Sequence, residues 1–406
     1  MKKFAIVFIS ILLIFVPMAT PASANVDAKA AIVVDGTSGQ VIYRQNANKR
    51  LPVASISKLL TMAVVHDELE KGQITPDTRV KVSPAIAAIS NDPNYSAIGL
   101  KSGQSYSVNE LIQAAMVKSA DGATLALALA GNHSVARFNT KMKSKAHQIG
   151  MHNFRIVNPV GLTNDQIKRL KVHGINGKAE NEMTAKDVAI LARYLIQTYP
   201  DLLQVTSQKQ AKFRIAKGQT KTEKNLNQML PGEKYAVSGV KINGLKTGTS
   251  DRAGACFVSS GHYRGHQIIT VVLHANGKDS ENRFRQTQAL YQMLKNNYRL
   301  ESVTVPQSIH HLAISRARQK TVTTTPTHLQ VWTRRPLRNY TVGVKLNHQL
   351  TNHRNQLQAP VRAKQQIGQV TLTGRGLHSV NGGPLTYRMQ CGQSVAKAGW
   401  LARLFN

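Results

Sequence analysis

The sequence predicts an α+β fold, built on an antiparallel sheet flanked by helices and followed by a small β-rich unit. Three observations carry this. Strand-like segments stand at both ends of the first 300 residues with helical segments between them, an order that does not fit regular strand–helix alternation. Beyond about residue 301, short Val, Thr and Leu runs alternate with turn residues and no long helical period appears. The chain has 406 residues with 42% hydrophobic content, long for one domain and sufficient for a core in each of two.

Taken in order, Lys2 and Lys3 precede an apolar run over 4–16 and the small-residue pattern Pro21-Ala22-Ser23-Ala24. This reads as a secretory signal peptide over 1–24, with a mature chain from Asn25. The run is short of the roughly 20 residues a transmembrane helix needs. Residues 31–35 read as a strand, Gly36-Thr37-Ser38-Gly39 as a turn and 40–44 as the return strand. A helix is expected over 56–71, with Leu59, Leu60, Met62, Ala63 and Val64 on or near its buried face. Ser107 and Glu110 form a capping box that opens a helix to about Met116, and another runs over 122–129. Thr184 with Asp187 opens a third, past Tyr194. Strands are expected at 235–241, 244–248, 254–260 and 267–274, then a helix over 281–297. The units are therefore 25–300, the β-rich 301–391, and a tail over 392–406. In that tail Trp400, Leu401, Leu404 and Phe405 are apolar, but Lys397 falls inside the apolar arc. A membrane-surface helix and a terminal helix packed on the domain both stay open.

Charge limits the partners. Lys and Arg number 53 against 20 Asp and Glu, a net +33, and residues 302–406 hold 14 basic and no acidic residues. Such a field attracts polyanions and anionic membranes. Export argues against nucleic acid and favours phosphate-bearing wall polymers or anionic lipid head groups; a generally basic proteome would give the same charge without a specific partner. The two cysteines, Cys256 and Cys391, fall in different units, which argues against a disulfide framework. Neither they nor the histidines show metal-ligand spacing, so no metal is expected.

Three short motifs carry the chemistry. S-x-x-K occurs at Ser55–Lys58, Ser238–Lys241 and Ser394–Lys397, but the first alone opens a predicted helix behind the hairpin. There, positions i and i+3 face the same way. A lysine amine held beside a serine hydroxyl and partly desolvated can lose its proton and act as base. The helix N-terminus adds N–H groups and a positive dipole for a developing oxyanion. Lys246-Thr247-Gly248-Thr249 lies at the end of a predicted strand. Its lysine and threonine hydroxyls can bind a carboxylate, and Gly248 lets a bound peptide's backbone approach; a polar strand edge would look the same. Ser119-Ala120-Asp121 lies in the helical region after the capping box.

In this order the three resemble the S-x-x-K, S-D-N-like and K-T-G set of serine penicillin-interacting enzymes. The chain is identified as a member of the low-molecular-mass penicillin-binding proteins that are serine D-alanyl-D-alanine carboxypeptidases, of the peptidase family S11 type. The likeness extends to the segment from Val53 to Thr61, to Ile98-Gly99-Leu100 with Gly103, and to Asn158-Pro159-Val160-Gly161-Leu162. It also takes in Thr184-Ala185-Lys186-Asp187 and the run from Asn243 to Gly254. It covers about 28–300 and, more weakly, 302–390. The resemblance implies a penicillin-binding/β-lactamase-like catalytic domain that trims peptidoglycan stem peptides ending in D-Ala-D-Ala, in the cell wall or on the outer face of the cytoplasmic membrane. It implies Ser55 as nucleophile, Lys58 as base and Ser119 as proton carrier to the leaving amine. Lys246 would support Ser119 and, with Thr247 and Thr249, hold the terminal carboxylate beside Gly248. The N–H groups of Ser55 and Thr249 would form the oxyanion hole. No cofactor is implied, and β-lactams should acylate Ser55.

Asp121 departs from the family's usual Asn. An ionised Asp only accepts hydrogen bonds, and its charge near Lys58 and Lys246 should raise the lysine pKa and make Lys58 a poorer base. Asp121 is thus also a substrate-side residue, and the alternative reading is a catalytically weakened homologue that binds wall or membrane. A β-lactamase would need a deacylating Glu in an E-x-x-x-N pattern. Glu180 and Glu182 are the nearest carboxylates, and neither has Asn four residues on. Transpeptidase or endopeptidase side activity stays open, since all share the acyl-enzyme.

Overall fold

The computed structural model describes residues 26–399. Its centre is a five-stranded antiparallel sheet in the order β2-β1-β5-β4-β3. The strands are β1 (Ala28–Asp35), β2 (Val41–Gln45), β3 (Lys241–Ser250), β4 (Gly254–Tyr263) and β5 (His266–Ala275). The chain's first strand lies between its own hairpin partner and β5, so the sheet closes over more than 200 residues of intervening chain (Ala30 pairs with Leu273). Apolar residues run without polar alternation in β1 because both faces are covered. Ile32 and Val34 join the larger core; Ala31 and Val33 pack with the helix over 282–297.

The larger core holds α1 (Ser57–Glu70), α2 (Val108–Val117), α3 (Asp121–Leu129), α4 (Val135–Gln148) and α5 (Ala185–Thr198). Every residue of α1 from Ser57 to Val65 is buried. A helix apolar all round is one surrounded by others, and α1 is the axis of this half. The opposite face of the sheet is sealed by α6 (Asn282–Asn297) through Phe284, Leu290, Tyr291 and Leu294.

The capping box at Ser107 and Glu110 is present as expected, and the Thr184 side chain accepts from the Asp187 amide. The strand expected at 235–241 is not formed over 235–240. Those residues are successive turns (Ala236 N to Glu233 O, Val240 N to Val237 O), and Tyr235, Val237 and Val240 are buried by packing. Sequence reading also misses α4, where Ser134 caps the helix and Val135, Phe138, Met142 and Ala146 give a helical stripe beneath a lysine-rich exterior. Of the helix expected from 393, residues 393–399 form no helix, and Val395 is bridged to Val361; the remainder lies outside the described residues.

The β-rich part pairs β6 (Arg299–Thr304) with β9 (His328–Thr333). A six-stranded sheet, order β10-β12-β13-β8-β7-β11, is formed by β7 (His311–Ser315), β8 (Thr321–Thr325), β10 (Tyr340–Leu346), β11 (Leu357–Gln358), β12 (Gln366–Gly374) and β13 (Leu385–Cys391). It has its own core, including Leu329, Ile367, Leu372 and Met389. What joins it to the first part is the β1–β2 turn. Gln40 exchanges two hydrogen bonds with the Trp332 backbone (2.7 and 2.9 Å), and Val41 and Gly39 bond His378 and Val380 through the main chain. Asp35, 1% exposed, accepts Trp332 Nε1 at 2.9 Å and bonds His266 Nδ1 at 2.7 Å, while Thr37 and Ser38 amides cap its other oxygen. Burial alone would push the Asp35 pKa up; His266, Ser38 and Trp332 instead hold it below the ordinary carboxylate value.

Trp332→Ala should cost about 3–5 kcal/mol in denaturant unfolding, and Trp332→Phe, which keeps the ring but removes one donor to Asp35, about 1 kcal/mol. Equal costs for the two substitutions would show that the Asp35 hydrogen bond, not ring packing, joins the parts.

Candidate active site

The residues singled out from sequence meet at the N-terminus of α1. A short 3-10 turn over Ala54–Ile56 leads into the helix, leaving Ser55 partly exposed while its neighbours Ala54 and Ile56 are buried. Two glycines hold that turn by close approach. A Cβ on Gly161 (φ +86°) would collide with Ala54 O, and one on Gly248 would sit 2.5 Å from Val53 O. Gly248 thus packs β3 closely on the turn that carries Ser55. The loop carrying Gly161 is shaped by Asn158, whose Oδ1 accepts from Val160 and Gly161 N–H (3.1 and 2.8 Å), and is tied to α1 by Thr61 Oγ1 donating to Pro159 O at 2.7 Å.

One turn after Ser55, Lys58 is fully enclosed. Its Nζ donates to Ser55 Oγ (2.6 Å), Asp121 Oδ1 (2.7 Å), Ser119 Oγ (3.3 Å) and Val160 O (3.3 Å). Ser119 and Asp121 reach it because only three residues separate the end of α2 at Val117 from the start of α3 at Asp121. The amide of Ala120 bonds Ala114 O, and Ser119 takes φ +63° in the left-handed position where a helix stop usually has glycine. Strain at this junction is carried by a residue that faces the site. Asp121 uses its second oxygen on Ser96 N–H (3.0 Å), and its own amide donates to Ser96 O. Both carboxylate oxygens therefore face donors, a site to which Asp is matched and Asn would be matched on one side.

Burial drives the Lys58 pKa down and Asp121 opposes it; the balance stays below the ordinary lysine value. The sequence expectation that Asp121 makes Lys58 more basic is right in sign for the pair but is outweighed by desolvation. Lys246 differs. It is 3% exposed, its Nζ donates to Thr247 O at 3.1 Å, and it has no ion pair among the described residues. Burial first, then the charges of Lys58 and Arg283, hold it well below its ordinary value against the pull of Asp121. Ser119 takes its hydrogen bond from Lys58 rather than from Lys246.

Sequence reading missed Arg283. From the first turn of α6, it donates to Gly248 O (2.9 Å), Cys256 O (3.2 Å) and Thr249 Oγ1 (2.7 Å). It fixes the outer edge of β3 and places a cation beside Thr249. A cation in a helix's first turn opposes the helix dipole, and that was the available signal. Cys256, buried on β4 with its thiol pushed up to about 11 by burial, is packing. Glu180 accepts from Ser250 Oγ (2.8 Å) and Glu182 pairs with Arg50 and Arg252 (both 3.3 Å), so both carboxylates are engaged in the β3–β4 turn. Ser238 and Ser394, of the other two S-x-x-K matches, are exposed.

The profile of the D-alanyl-D-alanine carboxypeptidase family, peptidase S11, matches residues 17–277. The chain is 28% identical over 268 residues to D-alanyl-D-alanine carboxypeptidase DacF of Bacillus subtilis, a span of 63% of this chain and 59% of that one. The chain thus spans less than two thirds of that relative's length. The crystal structure of a peptidoglycan synthesis regulatory factor (PBP3) from Streptococcus pneumoniae superposes with a TM-score of 0.77 at 28% identity, covering 91% of this chain and 100% of that one. Penicillin-binding protein D2 from Listeria monocytogenes, in its ampicillin-bound form, gives 0.52 at 27% identity over 66% of this chain and 97% of that one.

Two outcomes follow from the lysines. In Asp121→Asn, Lys58 loses the charge that opposes its desolvation. The acid limb of Ser55 sulfonylation by a small sulfonyl fluoride, read by intact mass against pH, should move to lower pH; superposed profiles would mean Asp121 does not set the Lys58 pKa. Lys246, with its folded pKa below the unfolded one, costs stability at every pH below about 10.4, most at low pH. Lys246→Met should raise unfolding stability at pH 7 by ~1–2 kcal/mol, and a loss of stability would show that the cation is satisfied in the free protein.

Proposed function

Since the chain belongs to the peptidase S11 family of D-alanyl-D-alanine carboxypeptidases, of the low-molecular-mass penicillin-binding type, we propose that it removes the terminal D-alanine from peptidoglycan stem peptides through an acyl-enzyme on Ser55. The observation that carries this is one buried amine within hydrogen-bond reach of two hydroxyls: Lys58 Nζ lies 2.6 Å from Ser55 Oγ and 3.3 Å from Ser119 Oγ.

In its neutral form Lys58 takes the Ser55 proton as Oγ attacks the carbonyl of the penultimate D-alanine. The N–H groups of Ser55 and Thr249 receive the oxyanion; Gly248, packed on Val53 O, brings Thr249 beside that turn. The proton passes from Lys58 through Ser119 to the leaving amine, the amide bond breaks and D-alanine departs. Water, deprotonated by Lys58, then cleaves the ester and restores Ser55. Lys246, Thr247 and Thr249 hold the terminal carboxylate, with Arg283 setting Thr249 from behind. A carboxylate there supplies the charge that Lys246 lacks in the free protein, so substrate binding favours protonation of Lys246. β-Lactams present the same carboxylate and carbonyl and acylate Ser55.

The reading includes residues 1–24 as an export signal, a catalytic unit over 25–300, a β-rich unit over 301–391, a tail over 392–406 and an extracytoplasmic site of action. It takes the basic C-terminal region as a surface for anionic wall polymers or the membrane face. Among the described residues no helix is long and apolar enough to cross a membrane. A second reading, a wall-binding homologue with little catalysis, rests on the 2.7 Å Lys58–Asp121 ion pair, which favours the protonated lysine.

With residues 25–406, D-alanine should be released from a synthetic peptide ending in D-Ala-D-Ala, and Ser55→Ala should release none. Ampicillin should add its mass to the wild type and not to the variant. Absence of both reactions in the wild type would move the assignment to the binding protein.

A further inference from the structure

Beside the β1–β2 turn, a cleft of about 680 Å³ opens between the catalytic and β-rich parts. Arg334, Arg335, Arg338 and Arg375 line it, over a floor that includes Trp332 and Leu377. The loop bearing the first three is fixed. The Glu301 carboxylate accepts from Leu337 N–H (3.0 and 3.1 Å) and from Thr333 Oγ1 (3.1 Å), and the Arg334 guanidinium lies 4.8 Å over the Tyr298 ring. Glu301 is also the last acidic residue of the chain, and its remaining pairing is with Arg299 at 3.7 Å. Among the described residues, none of the four arginines has a carboxylate partner.

Four exposed guanidiniums without carboxylate partners, three of them on a loop whose backbone Glu301 holds, match phosphate, which the planar fork binds bidentately. We propose that this cleft binds consecutive phosphate groups of a flexible phosphodiester polymer. Its recessed shape favours a single strand over a bilayer, since a flat lipid surface meets a convex face and not the floor between two parts of a protein. The proposal rests on the reading of the C-terminal region as a polyanion surface and narrows it to one place; it is independent of Ser55.

The test is calorimetric titration of residues 25–406 with short poly(glycerol phosphate) at several salt concentrations. The cleft variant R334Q/R335Q/R338Q/R375Q is compared with R318Q/K320Q/K345Q/R354Q, which removes equal charge from exposed positions elsewhere in the same region. The cleft variant should bind at least about tenfold more weakly with a shallower salt dependence, and the control within about twofold of wild type. Unchanged unfolding midpoints in both variants show that folding is intact. Equal losses in the two variants would overturn the cleft in favour of a diffuse field. No binding by wild type would overturn the polyanion reading itself. Binding to anionic phospholipid vesicles but not to the polymer would assign the surface to a membrane. D-alanine release, measured in parallel, reports on the active site separately.

Discussion

The enclosure of Lys58 is the constraint around which the catalytic half is arranged. An ammonium taken out of water costs several kcal/mol unless acceptors replace the water. Here four acceptors come from three stretches of chain: the turn before α1, the α2–α3 junction twice over, and the loop around Val160. None is near the others in sequence, so each must be delivered by packing. That explains features otherwise hard to justify. Ser119 takes a left-handed backbone, Gly161 is pressed on Ala54 O, and Asn158 spends its side chain on holding one loop.

The sheet supplies the rigidity for this. β1 is buried on both faces and β5 and β4 tie it to β3, so the K-T-G strand is registered against the chain's first strand through continuous antiparallel pairing. Arg283 completes the arrangement from the far face, spanning β3 and β4 with one guanidinium. The same first strand ends in Asp35 and the turn that engages Trp332, so the catalytic core and the β-rich part are both aligned on one hairpin.

Much of this was legible in the sequence, for identifiable reasons. The hairpin, the capping box, the Thr184 start and the three late strands are local signals, encoded within a few residues. Ser55, Lys58 and Lys246 were legible because their residue types at fixed spacing resemble a known set. Helix α4, whose apolar stripe lies beneath a lysine-rich exterior, and the turns at 235–240, whose apolar residues pack without forming a strand, were not. Arg283 offered only one weak signal, a cation in the first turn of a helix. Its role depends on a strand pairing that no local pattern encodes. The effect of Asp121 was legible in sign but not in size, because burial, which a sequence does not display, dominates the lysine it touches.

Pairing of charge separates two kinds of cation in this molecule. Lys58 has a carboxylate at 2.7 Å and two hydroxyls within hydrogen-bond reach; in the proposed mechanism it works on a neutral carbonyl. Lys246 is as deeply buried, but its nearest charged neighbours are largely positive, and its hydrogen bond goes to a neutral carbonyl oxygen. A buried cation without an anion lowers stability, and its retention is understandable where the missing anion arrives with a ligand. On the proposed reading, the free energy that the folded protein forgoes at Lys246 is recovered when a substrate carboxylate binds. It is recovered to the greatest extent where water is excluded, because the same low dielectric that penalises the lone lysine strengthens its contact with the ligand. On the proposed reading, the unpaired positive charges, more than the paired ones, mark where anions are to be received.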